Sequence, residues 1–178
     1  MNFKNSQTKK NLEAALKGEA LAHLKYQFYK SQLSNVSKEI ESELDEIIHN
    51  EKEHGKIWFK QLHDGVVPDN EANLLDAIEG ELYEHSAMYP EFAKKAFEEG
   101  FDEIGNLFSG VAEIEGRHAE NFENILKNIK EDKLFLNKEE TDWICLNCGH
   151  IVYGVIEAPE ECPICKHPQK YFTRCSTN

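Results

Sequence analysis

Arginine is almost missing from this chain: only Arg117 and Arg174 occur among 178 residues. With so few bidentate cations, a phosphate-clamp reading is weakened, and buried carboxylates have few partners for ion pairs. Aspartate is scarce as well, at 7 of the 33 acids, and the remaining 26 are glutamate, a better helix former. Against 20 basic residues these acids leave a formal net charge of -13, which argues against nucleic-acid and anionic-membrane partners. No apolar run approaches the roughly 18 residues that would suggest a membrane span. Residues 1–10 lack the apolar core of a signal peptide, so a cytoplasmic location is expected. Disulfides are uncommon there. Cysteine is absent before Cys145, yet five cysteines follow in the last 34 residues. That asymmetry separates a small C-terminal module, residues 138–178, from a larger N-terminal domain, residues 1–137.

The larger part reads as four amphipathic helices, which pack most simply as a bundle. Apolar stripes run through Leu12, Leu16, Ala22, Tyr26 and Leu33, and through Ile40, Leu44, Ile47, Trp58 and Leu62. Two more run through Leu74, Ile78, Met88, Phe92 and Ala96, and through Ile104, Leu107, Val111, Phe122, Ile125 and Ile129. Breaks are expected near Ser34 and Asn35, at Asp64 and Gly65, and at Gly100; Ser37 is a plausible N-cap. Pro90 lies inside the third helix and predicts a bend near Tyr89. The chain also repeats itself. Residues 11–19 match residues 73–81 at five of nine positions, and Glu51-x-x-His54 is echoed by Glu115-x-x-His118. Two helical hairpins related by an approximate two-fold axis would follow.

Each stripe is interrupted near mid-helix by an acid. Glu19 continues the first; Glu51 and His54 fill a gap in the second; Glu81 and Glu84 interrupt the third; Glu115 and His118 interrupt the fourth. Burying one unpaired carboxylate costs several kcal/mol, so five converging in one core would be untenable without cations. A Glu from each of two helices plus Glu-x-x-His from each of the other two is the ligand set of a two-metal carboxylate site. The i, i+3 spacing brings Glu and His to one face. Glu84 is a surplus, because its counterpart in the first half is Ala22. It fits a metal whose coordination changes with redox state, or a role beside the ligands. Iron is preferred over manganese or zinc for a mixed oxygen and nitrogen set with spare positions.

Cys145-x-x-Cys148-Gly149 and Cys162-Pro163-x-Cys165 are paired knuckles separated by 13 residues. Four thiolates at that spacing make a closed tetrahedral site for zinc or iron. Beside a two-metal carboxylate centre, an electron-carrying iron is favoured over a structural zinc. Trp143, Tyr153 and Phe172 are the expected module core, and Cys175 reads as an inert tail thiol. His23 and His85, each four residues after a terminal Glu, read as neighbours of the ligands or as surface residues.

The order of these motifs resembles the rubrerythrin family. Gly18-Glu19, Asn50-Glu51-x-x-His54, Gly80-Glu81-x-x-Glu84, Met88-Tyr89-Pro90 and Glu115-x-x-His118 carry the likeness, with both cysteine knuckles. The resemblance implies a mainly α fold: a ferritin-like four-helix bundle followed by a small rubredoxin-like β/loop domain. It implies two non-haem irons in the bundle and one iron in the four-cysteine site, where zinc is possible in recombinant protein. By position, Glu51 and Glu115 would bridge, Glu19 and Glu81 would be terminal, and His118 would bind the second iron. The first iron would exchange between Glu84 and His54, with Tyr26 and Tyr89 as nearby hydrogen-bond donors. The implied activity is reduction of hydrogen peroxide to water as an oxidative-stress defence. Electrons would come from NAD(P)H through a separate reductase or small carrier, and subunits would pair as homodimers, head to tail or domain-swapped. The residues alone leave two other readings open: a ferritin-like ferroxidase handling iron, and a zinc-loaded interaction module.

Overall fold

A computed structural model describes residues 2–33 and 35–175, and the expected break at Ser34 falls partly outside them. The chain divides into two compact units, Met1–Asp69 and Asn70–Asn178.

The first unit is a helical hairpin. A 3-10 turn, Phe3–Asn5, leads into α1, Gln7–Leu33. Ser6 Oγ accepts from the Lys9 amide at 3.1 Å and satisfies one of the first-turn donors of α1. Helix α2, Lys38–Leu62, begins where expected, with Ser37 Oγ accepting from the Ile40 amide at 3.1 Å. Glu39 and Glu41 in its first turn suit the positive end of the helix dipole. Helix α2 meets α1 through Ile48 and Gly55, both buried. At this level the buried face lies one residue away from the expected stripe. Ile48 is 7% exposed, whereas Ile47 is 44% exposed, because the helix presents the Ile48 side to α1.

The second unit holds α3, Asn70–Tyr83; a π-helical turn, Glu84–Met88; α4, Tyr89–Glu98; and α5, Asp102–Lys130. The bend expected at Tyr89-Pro90 takes the form of this π turn, closed by the Tyr89 amide donating to the Glu84 carbonyl. Pro90 has no amide hydrogen to give the preceding turn, so widening that turn by one residue is a local remedy. Ile78, Ala93, Ala96, Ala112, Ala119 and Leu126 form the buried contacts of these helices. No helix among the described residues is long and apolar enough to cross a membrane.

The C-terminal module contains β1, Leu136–Cys145; β2, Ile151–Glu157; and β3, Phe172–Arg174, in the antiparallel order β2-β1-β3. Trp143 pairs with Val152 on one side and Arg174 on the other. The core gathers Trp143, Cys145, Ala158, Cys162 and Phe172, with Val152, Val155 and Tyr171 packed against it. Tyr153 is a correction: it is 70% exposed. Alternation along β2 turns it away from the face on which Val152 reaches Trp143.

Candidate metal centres

Within the first unit, Glu19 on α1 meets Glu51 and His54 on α2, with one ligand atom from each lying within 4.8 Å of the others. His54 Nδ1 is 3.7 Å from Glu19 Oε2 and 3.9 Å from Glu51 Oε2. The two helices lie close here: a Cβ at buried Gly55 would be in ordinary contact with Glu19 Cβ at 3.6 Å and Leu16 Cδ1 at 3.7 Å. In the second unit, Glu81 on α3 meets Glu115 and His118 on α5 in a matching group of three. His118 Nδ1 is 3.5 Å from Glu81 Oε2 and 2.7 Å from Glu115 Oε2.

The carboxylates in each group are crowded. Glu19 and Glu51 are hydrogen-bonded to each other, which holds Glu19 below the usual carboxylate range and raises Glu51 above it. Glu81 is raised by burial and by the charge of Glu115, an effect that His118 partly opposes. Acids that must retain protons to stay together are acids that a divalent cation would satisfy. The residues therefore fit a metal, and their oxygen and nitrogen donors suit redox iron.

Glu84 stands at the start of the π turn, outside the group of three, yet its charge reaches both Glu81 and Tyr89. Burial raises the Tyr89 phenol, and the charges of Glu84, Glu115 and Glu81 raise it further. Its ring lies against Phe92 and Phe108, with centroids 6.3 and 6.0 Å away. Tyr26 lies against Tyr29, at 6.0 Å between centroids.

Three contacts escaped the sequence reading. The Trp58 indole approaches Glu19, with Nε1 at 3.4 Å from Oε1. His23 Nδ1 is 2.9 Å from the Ile48 carbonyl, and His85 Nδ1 is 2.6 Å from the Ala112 carbonyl. The available signal was periodic: Trp58 follows His54 by one helical turn, on the ligand face.

In the C-terminal module the four sulfurs of Cys145, Cys148, Cys162 and Cys165 form one cluster. Cys145 Sγ is 3.6 Å from Cys165 Sγ, and Cys148 Sγ is 3.7 Å from Cys162 Sγ. These are too long for disulfides, and they approximate the edge of roughly 3.8 Å that a tetrahedron with metal–sulfur bonds of about 2.3 Å would have. Gly149 adopts φ 75°, as its knuckle requires, and donates to the Cys145 carbonyl at 2.8 Å. The His167 amide donates to Cys165 and lowers that thiol to about 6. The His150 amide does the same for Cys148, but hydrogen bonds among the cysteines and burial prevail and push it up to about 12. A thiolate at Cys165 beside a thiol at Cys148 is a site ready to exchange a proton for a cation. Cys145 and Cys162 are buried, Cys165 is half-buried and Cys148 is exposed, so one edge of the cluster faces solvent.

Both parts of the chain match known proteins. The family model described as Rubrerythrin matches residues 10–126 and again 72–143, and the model for its rubredoxin-like domain matches residues 143–173. The chain is 35% identical to rubrerythrin of Nitratidesulfovibrio vulgaris, covering 99% of this chain and 98% of that protein. It is 36% identical to rubrerythrin-1 of Clostridium acetobutylicum, with the same coverage. Nigerythrin of Nitratidesulfovibrio vulgaris is 32% identical, over 93% of this chain and 85% of that protein.

Proposed function

This chain belongs to the rubrerythrin family, and on that footing we propose that it is a di-iron peroxidase reducing hydrogen peroxide to water. Its fold class is the family's: a ferritin-like four-helix bundle and a rubredoxin-like module, carrying two non-haem irons and a four-cysteine iron. The observation that carries the proposal is the duplicated group of two carboxylates and one imidazole in a chain that also holds four clustered thiols. Residues 1–137 would serve the first function and residues 138–178 the second.

In this reading Glu51 and Glu115 would be the shared ligands holding the irons, and Glu19 and Glu81 would be terminal. His118 would complete the second iron's set, with His54 and Glu84 as the two candidate ligands of the first. The bound irons supply two electrons and Lewis acidity for breaking the O–O bond. The balance is one peroxide, two electrons and two protons giving two waters. Tyr89 is suited to donate a hydrogen bond at Oη, because burial and three neighbouring carboxylates keep its phenol protonated. Tyr26 would be a hydrogen-bond donor on the first hairpin.

Electrons would enter at Cys145, Cys148, Cys162 and Cys165, where exposed Cys148 gives a donor access. The donor would be an NAD(P)H-dependent reductase or a small carrier. Head-to-tail or domain-swapped homodimers would let one subunit's module serve its partner. A cytoplasmic setting belongs to the same reading, since free thiols persist there. The test is metal analysis and visible spectroscopy on protein purified without air. Iron in both kinds of site, with ferric–thiolate absorption that bleaches on reduction and returns with peroxide, is expected. A colourless protein holding zinc alone would overturn the proposal.

A further inference from the structure

The two hairpins repeat with an offset of 64 residues: Glu51 answers to Glu115 and His54 to His118. One turn further on, the repeat breaks, because Trp58 answers to Phe122. That difference adds a hydrogen-bond donor to one group of ligands only. The Trp58 indole Nε1 lies 3.4 Å from Glu19 Oε1, at the long end for an N–H···O contact. Glu19 thereby divides its two oxygens, with Oε1 toward the indole and Oε2 toward His54 at 3.7 Å. Trp58 itself is half-buried.

We propose that Trp58 is a positioning residue for the first iron: its indole N–H holds Glu19 so that only Oε2 is presented to the metal. The indole is a neutral donor with no competing acceptor function, so it can orient a carboxylate without becoming a ligand. Glu81 has a phenylalanine at the equivalent position, which offers no donor. The two metal positions therefore differ before any metal binds, in the donor given to their terminal glutamates. Groups that hydrogen-bond to a metal ligand fix its orientation, and losing one typically weakens metal binding roughly 10- to 100-fold.

This inference rests on the two-metal reading above, and cobalt binding separates the failure of one from the failure of the other. Full-length protein with zinc in the four-cysteine site is titrated with Co(II), and d–d absorption is followed for wild type and Trp58→Phe. Phenylalanine keeps the aromatic packing and removes only the N–H. The expected result is two cobalt ions bound by wild type, with the affinity of one reduced roughly 10- to 100-fold in the variant. Equal affinities in both proteins would overturn the positioning role. Failure of wild type to bind cobalt would overturn the two-metal reading and this inference with it. A second measurement needs no variant to fold. Ultraviolet resonance Raman of cobalt-loaded wild type should show one of its two tryptophans, Trp58 or Trp143, shifting its N–H-sensitive band on metal binding. Bands identical with and without cobalt would contradict the proposal, whereas a merely packing indole would not shift.

Discussion

His85 Nδ1 lies 2.6 Å from the backbone carbonyl of Ala112, three residues before Glu115. The first hairpin repeats the contact, with His23 Nδ1 2.9 Å from the carbonyl of Ile48, three residues before Glu51. A carbonyl only accepts, so Nδ1 carries the proton in both rings. His23 thus ties α1, which bears Glu19, to α2, and His85 ties the π turn that follows Glu81's helix to α5.

Gly116 makes room for the second of these rings. A Cβ at residue 116 would lie 2.9 Å from His85 Nδ1. In a helix interior, alanine in place of glycine is normally worth about 1 kcal/mol. Gly116→Ala should therefore fail to stabilise the wild type, yet stabilise a His85→Ala background by about 1 kcal/mol. Denaturant unfolding of the four proteins checks this, and additive effects would show that the ring does not depend on the glycine.

Proton balance gives a second prediction. Glu51 is raised by its hydrogen bond to Glu19, and Glu81 is raised by burial. The folded, metal-free chain holds these protons more tightly than the unfolded chain does. Its stability should fall as pH rises from the ordinary glutamate range through the raised values. Glu19 is lowered, so its favourable contribution is lost only below the ordinary range, as pH drops through its folded value. Thermal unfolding with a chelator present should show the decline above the ordinary range. The Glu51→Gln, Glu81→Gln double variant and the metal-loaded protein should lack it. A decline of equal size in all three would refute this assignment.

The cysteines should differ in reactivity. In the metal-free protein near pH 7, Cys165 at about 6 is mostly thiolate, while Cys148 at about 12 is almost entirely thiol. Peptide mapping after brief alkylation should find Cys165 modified ahead of Cys148, although Cys148 is the more exposed. Loading the site should protect both. Faster labelling of Cys148 would mean that exposure, and not ionisation, governs the cluster.

Glu84 begins the π turn and lies outside the three-residue groups. If it exchanges with His54 on the first iron, Glu84→Ala should lower peroxide turnover about 10- to 100-fold while leaving the four-cysteine iron in place. Unchanged turnover in the fully loaded variant would remove Glu84 from the mechanism.

The two carboxylate groups were legible in the chain because acids interrupt apolar stripes, although Glu19, Glu51, Glu81 and Glu115 are half-buried and no charged residue among those described is fully buried. Glu19, Glu51, Glu81 and Glu115 stand in apolar stripes, and the repeat pairs each half with the other. The cysteine knuckles were plainer still, since paired C-x-x-C spacing has few alternative uses. Contacts between helices were not legible. Whether Ile47 or Ile48 faces α1 depends on the rotation of a whole helix, a matter of a single residue. The π turn was visible only as a bend at Pro90, because moving a hydrogen bond by one residue leaves no mark in composition. Trp58 read as one more stripe residue, since an indole N–H gains its meaning only from the acceptor opposite. Tyr153 looked like core by residue type, and strand alternation placed it outside.

The most direct test of the account is the reaction of the fully ferrous protein with its oxidant. Stopped-flow spectroscopy without air, comparing hydrogen peroxide with O2 at equal concentration, measures both rate and stoichiometry. One peroxide should oxidise each pair of bundle ions, far faster than O2 does, followed by oxidation of the four-cysteine iron. Oxidation by O2 at a rate equal to or greater than that with peroxide would contradict it and identify a ferroxidase instead.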